Sequence, residues 1–261
     1  MDAHDFSVAV AKEAGILLRQ LQHSGFDTSF KGGNPKDIVT SADIALNELI
    51  TARIKEAFPE DAIYSEEVAG SDTGLAGRSW TIDPIDGSAN FSRGIPHYAI
   101  CLGLMEHGVP IAGAIYNPAT EELYSFKKGG GAFLNGAPIR VSAISDLSAA
   151  FVLLHAGRKP EVADWGGESY RRLLGAARKT SNLSSSSLDT CFVAAGRIEA
   201  NIYGTLGILD IAPALGLLTE AGGAYCAQDG SEVALTRDAQ RIYMANSPAM
   251  LEAVRSLLES A

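Results

Sequence analysis

The chain has 261 residues, enough to bury a large core in one or two domains, and 46% of them are apolar. A formal net charge of -10, from 31 acidic and 21 basic side chains, excludes a general nucleic-acid surface, where Lys and Arg must neutralise phosphates. Three widely spaced cysteines in apolar surroundings, Cys101, Cys191 and Cys226, exclude a disulfide framework and read as buried free thiols of a cytoplasmic protein.

At the start of the chain, Phe6, Val10, Leu17, Leu18 and Leu21 recur at helical spacing. Asp5, Lys12, Glu13 and Arg19 interrupt them, which predicts an amphipathic helix over 5–23 and neither a signal peptide nor a membrane span. A second helix is predicted over 41–58 from Ile44, Leu46, Leu49, Ile50 and Ile54. Asp37 and Asp43 bracket the segment IVTSA before it, and Asp43 falls in the first turn, where the helix dipole favours an acid. The apolar run 62–64 reads as a strand that ends at Glu66 and Glu67.

Strands are then predicted over 79–82, 98–105, 111–116, 122–126 and 139–142, with hairpin glycines that imply a largely antiparallel sheet. Lys127, Lys128 and Gly129 to Gly131 read as a hairpin turn, since no Walker-type helix follows them. Beyond about residue 145 the pattern changes to strand 151–155, helices near 165–177 and 187–195, strand 200–203, a helix after Asp210, strands 225–227 and 241–245, and a helix from 248. Such alternation favours a mixed sheet covered by helices. Without repeat, low-complexity linker or like-charge run, 1–261 reads as one compact unit with an α+β half, 1–145, and an α/β half, 146–261.

The segment WTIDPIDGSANF, residues 80–91, carries the chemistry. Trp80, Thr81 and Ile82 read as a short buried strand, Pro84 stiffens its exit, and Gly87 lets the backbone approach a ligand where a helix begins. Asp83 and Asp86 then face one polar pocket, which suits a hard divalent cation that takes oxygen ligands and keeps room for water and phosphate. A bare DPxDG reads equally well as a turn, and the other acids each have a plain structural reading: Glu66 and Glu67 as a solvated pair, Asp43 as a first-turn acid, Asp210 as an N-cap before Pro213. His97, His107 and His155 have no ligand spacing and read as surface or core-edge residues. Arg197, after Gly196, marks a helix end or meets a substrate anion, and Ser184 to Ser187 read either as a helix N-cap or as hydroxyl and amide partners for a polar group.

Taken together, the acids and the DPIDGSANF run resemble the inositol monophosphatase family of Mg2+-dependent, lithium-sensitive phosphatases, over about residues 36–224. The family's glutamate pair is matched by Glu66 and Glu67, its DPxDG(T/S) signature by Asp83 to Ser88, its late aspartate motif by residues 209–216 with the acid at Asp210, and its early aspartate by Asp43. The segments GVPIAGAIYNPATEELY, GGGAFLNGAPIRVS and LLTEAGG are similar to the family's connecting strands and turns.

The resemblance implies the layered αβαβα sandwich of the sugar phosphatases, with the site between the halves. It implies two or three Mg2+ ions held by Glu66, Asp83, the Ile85 carbonyl, Asp86 and Asp210, and a water oriented by Ser88 with Asp43 behind it. It further implies phosphate contact by Gly87 and Ser88, substrate contact by Ser184, Ser186, Tyr203 and Asp210, and a homodimer acting on a small phosphorylated molecule. Inositol phosphates, sugar phosphates, histidinol phosphate, 3'-phosphonucleotides and fructose 1,6-bisphosphate are all substrates within the family.

Several positions depart from the family pattern. Ser88 stands where threonine is common, Ser65 replaces a glycine, and Leu209 replaces a tryptophan. Tyr203 falls where animal members place a glutamate that binds inositol hydroxyls, which predicts that myo-inositol 1-phosphate is a mediocre substrate. Another acid, Glu199, is the candidate to reach the same hydroxyls. A regulatory protein that has lost turnover is the second class to consider, since some relatives bind the transcription machinery. The complete carboxylate set favours the enzyme.

Overall fold

The computed structural model describes residues 2–30, 33–34, 38–65, 67, 77–157, 160–207, 211–233 and 239–259. Its first layer is a helix pair. Helix α1 (Ala3–Ser24) is capped by Asp2, whose side chain accepts from the His4 amide, and its buried stripe of Phe6, Val10, Ala14 and Leu18 follows the four-residue spacing of one helix face. Helix α2 (Ser41–Ala57) buries Leu46, Ile50 and Ile54 in the same way. A two-stranded antiparallel ribbon, β1 (Thr28–Phe30) and β2 (Ile38–Thr40), lies between them in sequence.

Both helices cover one face of a seven-stranded sheet ordered β3 (Ala62–Ser65), β4 (Arg78–Asp86), β5 (Ala99–Glu106), β6 (Val109–Asn117), β7 (Glu122–Lys127), β8 (Gly131–Leu134) and β9 (Ala137–Pro138). Only the β3–β4 pair is parallel; the other neighbours run antiparallel. Trp80 is wholly buried where sheet meets helices, with the rings of Phe6 and Phe58 at 5.2 and 5.1 Å.

The opposite face packs on α5 (Ser186–Ala194) and α6 (Ala212–Glu220), through Cys101, Ile115, Tyr124 and Phe126. Gly216 permits that contact, because a Cβ there would stand 2.3 Å from the Phe126 ring. These two helices are shared with a second sheet, ordered β11 (Lys179–Ser181), β10 (Phe151–His155), β12 (Ala200–Gly207), β14 (Ala239–Ala245), β13 (Ala224–Ala227). There β10 is parallel to β11 and β12, and β14 is antiparallel to β12 and β13. Helices α4 (Pro160–Ala176) and α7 (Pro248–Glu259) close the outer side over Val152, Leu173, Tyr243, Met250 and Val254. The order is therefore helix, sheet, helix, sheet, helix, the α+β sandwich that was expected.

The structure corrects the elements in detail. Residues 139–142 form no strand of their own: Ile139 N donates to Ala132 O of β8, one step beyond the β8–β9 pairing, and Val141 N then leaves that edge for Ala221 O at the end of α6. The hairpin partner of β7 is instead β8, reached through the Lys127 to Gly131 turn. Helix α4 starts at Pro160, ahead of 165, as proline is tolerated in a first turn. Strand β12 continues past Tyr203 through a register shift between Tyr203 and Leu206. Cys101, Cys191 and Cys226 are buried and free, and burial pushes all three thiols up. Among the described residues, no helix is long and apolar enough to cross a membrane.

Candidate active site

The two motif aspartates share a face only because β4 is irregular. Side chains three apart on a regular strand point to opposite faces. Here Asp83 pairs with Cys101 and Asp86 with Ala99, so three steps on β4 match two on β5. The extra residue falls at Pro84 and Ile85, and Pro84 has no N–H to give a ladder. Cys101 and Ala99 both pack toward α5 and α6, and Asp83 and Asp86 point the same way, each buried. Asp83 Oδ1 accepts from the Ile85 amide at 3.1 Å, which holds the bulge.

Beyond Asp86 the chain turns through Gly87, left-handed at φ 92°, into the four-residue helix α3 (Ser88–Phe91). The Ser88 hydroxyl lies 2.8 Å from the Ile85 carbonyl oxygen and 3.1 Å from Asp43 Oδ1, with one proton for two acceptors. Asp43 is fixed by a capping box. Its Oδ2 accepts from Thr40 N at 2.7 Å and from Thr40 Oγ1 at 2.6 Å, while Thr40 Oγ1 accepts from Asp43 N. The first-turn reading and the site reading of Asp43 are thus the same arrangement: Oδ2 caps the helix and leaves Oδ1 facing Ser88.

Asp86 crosses from the first sheet to the second half of the chain. Its Oδ1 accepts from Ser186 N and Ser186 Oγ at 3.1 and 3.0 Å; its Oδ2 accepts from Ser187 N and Ser185 Oγ, both at 2.7 Å. A carboxylate from elsewhere therefore caps α5, and the N-cap residue Ser185 makes no side-chain cap of its own. Burial raises the pKa of Asp86, and the hydrogen bonds from Ser185, Ser187 and Ser186 pull it back. Ser184 sits just outside, exposed, at φ 64°, with its hydroxyl on Asn182 Oδ1.

Other predicted residues are placed differently. Tyr203 is buried; its ring stacks on His155 at 4.8 Å, and its hydroxyl donates to Asp189 Oδ2 at 2.8 Å. Glu199 accepts from Ser142 Oγ and Phe151 N, so it holds a loop and does not replace the missing glutamate. Arg197 pairs with Glu122, which accounts for its charge without a substrate anion. Glu66, Asp210, Asp37 and Leu209 lie outside the described residues. Ser65 Oγ donates to Asn47 and accepts from the Glu67 amide. Among the described residues, no three or more His, Cys, Asp or Glu side chains form a group that could hold a metal.

Sequence reasoning missed Asp189 and underrated His97. Asp189 Oδ1 lies 2.8 Å from His97 Nε2, and burial raises the Asp189 pKa against the pull of His97 and Tyr203. Asn90, unremarked within the motif, joins the halves: its side-chain amide donates to His97 O at 2.8 Å and Leu183 O at 2.9 Å.

The profile of the inositol monophosphatase family matches residues 2–261. The chain belongs to the inositol monophosphatase family. It is 33% identical over 259 residues to inositol monophosphatase 1 of Solanum lycopersicum, spanning 97% of this chain and 93% of that one. It is also 33% identical over 232 residues to a Thermotoga maritima protein named fructose-1,6-bisphosphatase/inositol-1-monophosphatase, covering 89% and 87%. In three dimensions it superposes on the extragenic suppressor protein SuhB of Bartonella henselae with a TM-score of 0.89, at 26% identity and 98% coverage of each chain. This family member is an enzyme of the phosphoric monoester hydrolase class.

Proposed function

We propose that the chain hydrolyses a small phosphate monoester with the help of Mg2+ held by Asp83, Asp86, the Ile85 carbonyl, Glu66 and Asp210. The observation that carries this reading is the Ser88 hydroxyl, held between Asp43 Oδ1 and Ile85 O beside two buried aspartates. The donor set fits a hard cation: it offers carboxylate and carbonyl oxygens, and burial keeps the nearby Cys101 thiol protonated. Bound there, Mg2+ would neutralise phosphate and leaving-group charge and lower the pKa of a water.

The chain's own groups do the orienting. Ser88 presents its oxygen to the attacking water and passes a proton toward Asp43, whose other oxygen stays locked to Thr40. Gly87, with no side chain, lets the backbone and the Ser88 amide come close to phosphate oxygens. Ser184 and Ser186 border the space where the alcohol portion would lie.

The substrate follows from Tyr203. Its hydroxyl is buried and donates to Asp189, and the Glu199 carboxylate is buried and engaged elsewhere, so neither presents a carboxylate to a ring of hydroxyls. This favours an alcohol less hydroxylated than inositol. The test is phosphate release from a panel with and without Mg2+: myo-inositol 1-phosphate, histidinol phosphate, adenosine 2'- and 3'-monophosphates, fructose 1,6-bisphosphate and glycerol 2-phosphate. Chelated protein with full activity would overturn the metal; inositol phosphate leading by tenfold in kcat/KM would overturn the substrate argument. Lithium inhibition, a homodimer and one cytoplasmic folding unit of two halves belong to the same reading. A second, regulatory role has the likeness to a suppressor protein in its favour, and absence of phosphate release from the whole panel would favour it over turnover.

A further inference from the structure

The half-buried His97 and the buried Asp189 and Tyr203 form a cluster on the helix that holds Asp86. Asp189 lies on the first turns of α5, and its amide donates to Ser185 O at 2.8 Å. Its two carboxylate oxygens are divided between the two halves. Oδ1 meets His97 Nε2 from the segment before β5, and Oδ2 accepts from Tyr203 on β12, each at 2.8 Å. One helix turn earlier, Ser186 N and Ser187 N grip Asp86.

His97 makes two further contacts that bear on the start of α5. Its ring meets Phe192 of α5 edge-on at 5.5 Å, three residues beyond Asp189 on the same face. Its carbonyl accepts from Asn90, which also holds Leu183 O just ahead of α5. That carbonyl is also the atom a Cβ at Gly87 would meet at 3.1 Å. The opening of α5 is thus registered against Asp86 directly, against the segment beside Gly87 through His97, and against the second sheet through Tyr203.

We infer that His97 and Tyr203 are positioning residues: by dividing the Asp189 carboxylate between them they set the start of α5 and, through it, the orientation of Asp86 toward a cation. This inference rests on the reading of Asp86 as a Mg2+ ligand. Partners one layer behind a ligand typically change metal affinity by about 10–100-fold, and His97 and Tyr203 stand a layer further out, so about three- to tenfold is expected.

The experiment is calorimetric titration of Mg2+ and of Mn2+ into the full chain, with melting curves in chelator recorded for each variant. His97→Phe and Tyr203→Phe should each weaken cation binding by that factor, whereas His97→Gln, which keeps a donor for Asp189, should stay within about twofold of wild type. A purely structural role would lower the melting temperature of all three without separating Gln from Phe in affinity. Should His97→Phe not fold, Tyr203→Phe alone carries the measurement. Wild-type affinity in the folded Phe variants, or equal loss in His97→Gln and His97→Phe, overturns the positioning role while metal binding by wild type stands. A wild-type chain that takes up neither cation removes the metal reading and this inference with it.

Discussion

Replacing Asp86 by asparagine should destabilise the metal-free protein, whereas the same change at Asp83 should not. Asp86 accepts a backbone N–H on each oxygen, from Ser186 at 3.1 Å and Ser187 at 2.7 Å. An amide therefore has no orientation in which its NH2 avoids a buried donor. Leaving one such donor unsatisfied costs about 1–3 kcal/mol, and the bond lost is charge-assisted, itself worth about 1.5–3 kcal/mol. Two effects offset part of this. The Ser185 and Ser186 hydroxyls can rotate to accept from the amide, and a buried charge is removed whose pKa burial already raises. A net loss of about 2–3 kcal/mol remains. For a chain of this size that lowers Tm by about 4–12 °C. Asp83, by contrast, accepts from Ile85 N on Oδ1, and an asparagine carbonyl can keep that bond. The assay is thermal unfolding by circular dichroism in chelator, for wild type and both variants. An Asp86→Asn protein melting within about 2 °C of wild type would refute the account of how α5 is held.

Asp83→Asn should fold normally, lose Mg2+ binding by calorimetry and lose turnover. Asp43→Asn can point its carbonyl at Thr40 and its NH2 at Ser88, so it should retain metal affinity while kcat falls by about 10^2 to 10^4, as for a lost general base; equal loss of metal affinity in both variants would show the division of roles to be wrong. Gly87→Ala should cost about 1–2 kcal/mol in urea unfolding, since it forces a left-handed φ of 92° and brings a Cβ to 3.1 Å from His97 O. The Glu122 carboxyl is held below its ordinary 4.5 by the hydrogen bond from Arg197, so the pair's stabilisation is complete above that value and lost as pH falls through the lowered one. Glu122→Gln should therefore cost about 0.5 kcal/mol at pH 7, given that Arg197 is over a third exposed, and progressively less as pH falls below 4.5, read from paired urea midpoints.

Local pattern exposed the layers and the two motif aspartates, because burial periodicity and the DPIDG segment are both written in consecutive residues. That the two aspartates face one pocket came from the motif, and strand periodicity could not have supplied it. Three-residue spacing on a strand argues for opposite faces, and only the register shift at Pro84 and Ile85 reverses that. The serine run posed a different difficulty. Ser184 to Ser187 looked equally like a helix cap and like partners for a ligand, and the partner is Asp86, about a hundred residues earlier. Asp189 escaped notice for a related reason: an acid early in a helix needs no explanation, and its partners lie 92 and 14 residues away. The strand expected at 139–142 failed because Ile139 and Val141 alternate as a strand would, while the Ile139 amide goes to Ala132 on the edge of β8 and the Val141 amide to Ala221 at the end of α6, so no one ladder takes both.

Asp86 has two tasks that compete for the same atoms. A carboxylate offers about four lone-pair sites, and four donors from Ser185, Ser186 and Ser187 already point at this one. A cation drawing on Asp86 must displace one of them. The two N–H groups cannot leave without unwinding the first turn of α5, but the Ser186 hydroxyl duplicates its own amide on Oδ1 and needs only a rotation about one bond to withdraw. The helix can then keep its two backbone bonds while Oδ1 gives up a lone pair. That exchange is cheap only if α5 does not drift as a donor is lost, and the Asp189 carboxylate, tied to His97 on one side and Tyr203 on the other, is what holds the helix in place while it happens.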